Sequence, residues 1–277
     1  MLAVVGCCRP GLGTKEGFGA DALAAHVRSR QASYGEGWTV LSVPPFVVIG
    51  DGLPNEVRLD AEEVVAVAAK KLRTLYFERA PAVIVDVVML RDEASYDRVA
   101  GSSFSAPTTP YGFYAPCREA IYVNMALGNG TLVHEMVHAF MDANFPECPV
   151  WFNEGLGSLY EQPDLTSDPM RGRPNWRLPR LQDAIARRRT MPIEELLALG
   201  SSEFYAEKRS GLAYAMARYL CYHLQERGLL QTFFRRFVAN HDADPTGVET
   251  LKAVLGETDL RKIQREWESA TLAIAYP

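Results

Sequence analysis

Thr131-Leu132-Val133-His134-Glu135-Met136-Val137-His138-Ala139-Phe140 is the stretch on which the reading of this chain turns. No Gly or Pro interrupts the sequence from Thr131 to Phe145, so a helix is the natural local structure. Residues four apart stack on one helical face, which brings the imidazoles of His134 and His138 within reach of a single ion. Glu135 lies one step round the same helix. Two neutral imidazoles suit Zn²⁺, and a carboxylate beside the metal can take a proton from water that the ion has acidified. Histidines at this spacing also pack or cap in proteins that hold no metal, so the motif needs independent support.

That support comes from Pro149-Val150-Trp151-Phe152-Asn153-Glu154-Gly155-Leu156, just beyond the helix breakers Pro146 and Pro149. A catalytic zinc takes three protein ligands and keeps one position open, and a Glu from a following helix completes a set of two His and one Glu. Glu154 stands where that Glu belongs. Together the two segments resemble the gluzincin metallopeptidases, the thermolysin-like superfamily, in which His-Glu-x-x-His is followed on the next helix by an Asn-Glu pair. Trp151-Phe152-Asn153-Glu154-Gly155 is most similar to the Trp-Leu-Asn-Glu-Gly of aminopeptidase-like members and of bacterial proteins called peptidase MA-like.

The resemblance implies a zincin-like α+β fold, with an N-terminal mixed sheet and helices followed by a mainly helical C-terminal half. It implies that His134, His138 and Glu154 hold Zn²⁺ and that Glu135 is general base and then acid in hydrolysis of a peptide or protein substrate. In many gluzincins a Tyr or His stabilises the oxyanion. Tyr214 is the candidate here, with Tyr205 and His223 behind it; a core aromatic on a helix is the other reading of Tyr214. Thermolysin carries an Asp four residues after its third ligand, which orients a histidine. Ser158 occupies that position, so Ser158 or Glu161 is expected to substitute. No Gly-x-Met-Glu-Asn segment of the aminopeptidase type occurs, which favours cleavage within chains or an unusual substrate.

At 277 residues the chain can bury a full core as one large domain or two intimate halves. Hydrophobic residues make up 48% and charged residues 23%, which argues against disorder. A net charge of −5 gives no general case for nucleic acid or an acidic membrane, and no apolar run is long enough to span a bilayer. The five cysteines, Cys7, Cys8, Cys117, Cys148 and Cys221, show no Cys-x-x-Cys spacing, so free thiols are expected. Cys117 and Cys148 flank the metal helix and could pair in an oxidising compartment. Leu2-Ala3-Val4-Val5-Gly6-Cys7 looks like the tail of a lipoprotein signal, in which Cys7 would carry a lipid anchor. The positively charged start and most of the apolar region of such a signal are missing, so a short strand is the other reading; the pattern tilts the expected location slightly towards bacterial export. The glycines from Gly11 to Gly17 fit neither nucleotide-binding spacing.

The expected organisation is a leader over 1–37, a subdomain with the His-Glu-x-x-His helix over 38–144, and a helical subdomain with the third ligand over 145–277. His26 reads as surface on a polar helix, Ala20 to Arg30. Thr39 to Ile49 reads as one strand, Leu59 to Phe77 as a long amphipathic helix, and Ala82 to Leu90 as a buried strand. A Gly, Ser and Pro-rich loop covers Gly101 to Pro110. A hairpin over Tyr111 to Val123 follows; the resemblance to zincin peptidases implies that its first arm, Gly112-Phe113-Tyr114, is an exposed edge strand, and an ordinary covered hairpin is the other reading. Arg171, Arg173, Arg177 and Arg180 precede Arg187-Arg188-Arg189, which is placed on a helix; solvated surface is the preferred reading of this cluster. Helices are expected over Ile193–Leu199, Gly211–Glu226, Leu229–Asn240, Val248–Leu255 and Leu260–Ala273, and His241 as surface at a helix end. Two rivals to a peptidase stand beside it. One is a catalytically inactive zinc-binding or peptide-binding module, and the other an anion or nucleic-acid binding protein working through the arginines.

Overall fold

In the computed structural model, residues 18–101 and 109–276 are described. The expected lipid-anchor site at Cys7, the glycines from Gly11 to Gly17, and most of the Gly101–Pro110 loop lie outside them. The chain divides into two compact units, 2–146 and 147–277. The fold is α+β, with a mixed sheet in the first unit and mainly helices in the second.

The first unit runs α1 (Ala20–Tyr34), β1 (Thr39–Val43), β2 (Phe46–Gly50), α2 (Pro54–Asp60), a π-helical stretch over Ala61–Ala66, and α3 (Val67–Leu75). It continues with β3 (Val85–Leu90), α4 (Glu93–Tyr96), β4 (Gly112–Ala115), β5 (Ala120–Asn124) and α5 (Gly130–Asn144). The five strands lie in the order β1-β2-β3-β5-β4; the inner pairs β2–β3 and β3–β5 are parallel and the outer pairs antiparallel. Every residue of β2, β3 and β5 is buried, as the near-continuous apolar runs of inner parallel strands require. β4 is one of the two outer strands, as the resemblance implied.

Two expectations are corrected in this unit. Thr39 to Ile49 is a hairpin, with Val43 paired to Phe46 around Pro44-Pro45. Proline has no N–H to give to a ladder, so the two prolines turn the chain instead of extending the strand. The folded part also begins before Trp38, because α1 packs on the sheet: Leu23, Val27 and Tyr34 lie against a core of Val40, Ile49, Val88 and Tyr122 among others. His26 is therefore no surface residue. Its Nε2 lies 2.7 Å from Asp86 Oδ1 on β3, and Arg30 Nε lies 2.6 Å from Asp86 Oδ2.

The second unit holds α6 (Val150–Leu159), a two-stranded ladder of β6 (Pro163–Asp164) and β7 (Arg171–Gly172), and α7 (Leu178–Ala186). There follow α8 (Ile193–Ala198), α9 (Ser201–Phe204), α10 (Glu207–Glu226), α11 (Leu230–Asn240), α12 (Val248–Leu255) and α13 (Leu260–Leu272). α10 is the central element, buried without a break from Ala213 to Cys221. α6 packs closely on it at Gly155: a Cβ there would come within 2.9 Å of Ala217 O and 3.0 Å of Cys221 Sγ, so only glycine allows the approach.

The arginine triple does not extend a helix. α7 ends at Ala186, and Arg188 takes a left-handed conformation with φ of 54°. Carboxylates hold much of the cluster, with Arg171 on Glu226, Arg173 on Asp164, Arg177 on Glu161, and both Arg187 and Arg189 on Asp183. His241, expected at the surface, is mostly covered, with its ring 5.9 Å from that of Phe237. Cys117, Cys148 and Cys221 are free thiols, and no described helix is long and apolar enough to cross a membrane.

Candidate metal centre

α5 presents an unbroken buried stretch from Leu132 to Met141. Leu132, Val133, Met136, Val137 and Phe140 are apolar and wholly buried, which fixes the helix by packing against the sheet side of its unit. Phe140, for example, stacks on Phe77 at 5.4 Å and meets Phe46 edge-on at 5.7 Å. That packing carries polar side chains into the interior with it. His134, Glu135 and His138 are 2%, 1% and 8% exposed, and the two imidazole rings lie 4.7 Å apart at 79° to each other.

α6 starts after Pro149, whose extended backbone closes the preceding turn. Trp151 and Phe152 anchor the helix among Phe233 and Phe237, and Trp151 Nε1 donates to Thr246 O at 3.0 Å. Glu154 is wholly buried. Ligand-capable atoms of His134, His138 and Glu154 all lie within 4.8 Å of one another.

Each neighbouring carboxylate is held by a neutral donor. The backbone N–H of Tyr114, on β4, donates to Glu135 Oε2 at 2.9 Å. The Tyr205 hydroxyl donates to Glu154 Oε1 at 2.5 Å. Burial, then the nearby Asp142 charge on α5, pushes the Tyr114 phenol well above its ordinary range.

Tyr214, ranked first from sequence, is buried against Phe204 (ring centroids 5.0 Å apart) and Tyr205 (6.3 Å), with the Arg177 guanidinium 5.0 Å from its ring. Tyr205, ranked second, is the one whose hydroxyl is seen on Glu154. His223 lies further along α10, its pKa lowered mainly by burial and then by Arg227. Of the two expected stand-ins for thermolysin's Asp, Glu161 receives Arg177 at 2.6 and 2.9 Å and Asn175 at 3.0 Å. Ser158 is wholly buried, and its carbonyl accepts from Arg218 Nε at 2.8 Å. Tyr114 escaped the sequence reading because its contribution to Glu135 is a backbone amide, which no residue type announces.

The donor set fits zinc. Two nitrogens and a carboxylate oxygen are the ligands of one common catalytic arrangement, and a buried carboxylate is costly to keep charged unless a cation or several donors face it.

No protein-family model and no curated protein sequence matches the chain. Among solved structures, yeast LTA4 hydrolase in complex with bestatin is similar at 15% identity and a TM-score of 0.49, over 87% of this chain and 40% of that one. Native yeast LTA4 hydrolase is similar at 12% identity and a TM-score of 0.48, over 86% and 38%. The chain thus spans about two fifths of the length of those proteins.

Proposed function

We propose that this protein is a zinc-dependent hydrolase of peptide bonds, of gluzincin type, that cleaves within peptide or protein chains. The observation that carries the reading is the gathering of His134, His138 and Glu154 in a buried cluster, with Glu135 on the same helix. The double motif, His134-Glu135-x-x-His138 with Asn153-Glu154, supports the reading from the sequence side.

His134 and His138 would hold the ion through imidazole nitrogens and Glu154 through a carboxylate oxygen. A bound Zn²⁺ would supply a Lewis acid, which acidifies water and polarises a carbonyl. The chain's own residues do the rest. Glu135 accepts a proton from the attacking water and passes it to the leaving amine, which converts a poor leaving group into a neutral one. The Tyr114 amide holds one oxygen of that carboxylate, so the other oxygen is the one to face water. Tyr205 keeps Glu154 in place, and its hydroxyl is better placed than that of Tyr214 to reach charge developing beside the ligands.

One experiment tests this. Purified protein should contain about one zinc per chain, as a single set of three ligands holds one ion. It should cleave an unfolded protein substrate. Glu135→Gln should keep the zinc and lose about 10²- to 10⁴-fold in turnover, the range for a general base. Equal rates for the two proteins refute the catalytic role, and absence of zinc refutes the ligand set.

A further inference from the structure

Arg218 of α10 is a wholly buried charge that the metal centre does not account for. Its Nε donates to Ser158 O at 2.8 Å, and its Nη2 donates to Leu159 O and to Arg173 O. Among the described residues these carbonyls are its only hydrogen-bond partners, and Nη1 has none. Taking a guanidinium out of water is costly, and neutral carbonyls offset that cost only in part, so an apolar side chain would fill the space with less penalty. What an apolar side chain lacks is direction. Ser158 and Leu159 end α6, so their carbonyls belong to the last four that a helix leaves without an internal partner, at its negative end. Arg218 therefore grips α6 by its C-terminal end.

Glu154 lies four residues before Ser158, one turn back on the same helical face. Any slide of α6 along its axis carries the carboxylate with it. The other contacts of α6 resist such a slide only weakly. It comes close to α10 at Gly155, which has no side chain to interlock with the facing helix. Trp151, Phe152, Leu156 and Leu159 are wholly buried, but the burial of apolar surface has no preferred direction. At the N-terminal end, the Trp151 indole holds the helix through its bond to Thr246 O. A slide of one residue is about 1.5 Å, whereas a ligand oxygen has to sit within about 0.2 Å of its proper distance from an ion.

We propose that Arg218 is a positioning residue for Glu154. By holding the Ser158 and Leu159 carbonyls it sets where α6 stands along α10, and with that the reach of the Glu154 carboxylate towards an ion. Arg218 touches neither ligand nor substrate in this role; it acts through the backbone of α6. The proposal rests on the reading of His134, His138 and Glu154 as zinc ligands.

The test measures zinc affinity by competition with a chelator, under conditions in which circular dichroism shows each protein folded, with urea unfolding alongside. Arg218→Met fills the space without a charge, and Arg218→Lys keeps the charge but lacks the planar fork that reaches several carbonyls at once. Ile263→Ala, at a buried position of α13, serves as a variant destabilised in the same unit by lost packing alone. Arg218→Met should bind zinc about 100-fold more weakly than wild type and Arg218→Lys about tenfold, the range for loss of a group that supports a metal ligand. Ile263→Ala should lose stability and keep zinc affinity within about twofold of wild type, because packing loss there leaves the hold on α6 in place. Should Arg218→Met not fold, Arg218→Lys decides the matter alone. Wild-type affinity in folded Arg218→Lys overturns the proposal. So does an equal loss of affinity in Ile263→Ala, which would make zinc binding follow stability and not the hold on α6. A wild type that binds no zinc sinks the metal-centre reading and this proposal with it, whereas zinc bound equally by wild type and the Arg218 variants sinks the proposal alone.

Discussion

Two clusters in the sheet-bearing unit set histidine beside buried carboxylate, and they are completed in opposite ways. In the first, Asp86 of β3 receives His26 and, at 2.6 Å, the guanidinium of Arg30. In the second, His134, Glu135 and His138 share α5, and the donors seen on the carboxylates there are an amide on Glu135 and a phenol on Glu154. A guanidinium cancels a carboxylate's charge and leaves a metal ion nothing to gain. Neutral donors orient the carboxylate and leave its charge in place. The first cluster fastens α1 to β3, and under the proposed function the second is the metal centre, although the residue types are nearly the same.

The largest effect that sharpens this contrast is Asp86→Ala. Removing one partner of a buried ion pair costs roughly 3–5 kcal/mol, and the lower end applies because Arg30 is one third exposed and can turn to water. Urea unfolding should show a loss of about 3 kcal/mol. Zinc content should stay at the wild-type level. A fall in zinc content without loss of stability would reverse the roles assigned to the two clusters.

A smaller effect is expected at Tyr205, and it probes the second cluster from its ligand side. Tyr205→Phe removes the hydroxyl on Glu154 and keeps the ring that packs on Phe204. Loss of a hydrogen bond to a metal-ligating carboxylate costs about 10- to 100-fold in affinity, so zinc measured by competition with a chelator should bind that much more weakly. Unchanged affinity would mean that Glu154 is oriented by packing alone.

How far the sequence carried this contrast depends on where each cluster's information lies. The α5 cluster was legible because helical spacing places His134 and His138 together, and Glu154 follows in a recognisable local setting. The Asp86 cluster was not, since its partners are 56 and 60 residues away on a helix that buries none of its residues fully. Leu23, Val27 and Tyr34 are too few among polar neighbours to stand out as a stripe, and docking through His26 and Arg30 adds no period to read. The Pro44-Pro45 hairpin was hidden for a related reason: apolar residues continue on both sides of the turn, so only the prolines mark it. That the Tyr205 hydroxyl meets Glu154 was not legible in the sequence either. Which of two tyrosines with rings 6.3 Å apart reaches Glu154 is decided by packing at the end of α9.

The smallest effect belongs to a third kind of histidine, one that neither fastens nor takes part in chemistry. His223 of α10 has its pKa lowered by burial and by Arg227, against a weaker pull in the other direction from Glu266. The unfolded chain, with an ordinary value near ~6.5, therefore takes up the proton first as pH falls. Its contribution to stability is whole above that value and is lost as pH drops through the lower folded value. His223→Gln has nothing to titrate there. The difference in unfolding free energy between wild type and His223→Gln should thus be constant above about pH 7, and should move against wild type by less than about 1 kcal/mol between pH 6.5 and 5, since the ring is only partly buried. A shift in favour of wild type over that interval would show that the folded protein prefers the charged imidazole, and that Glu266 outweighs burial at this position.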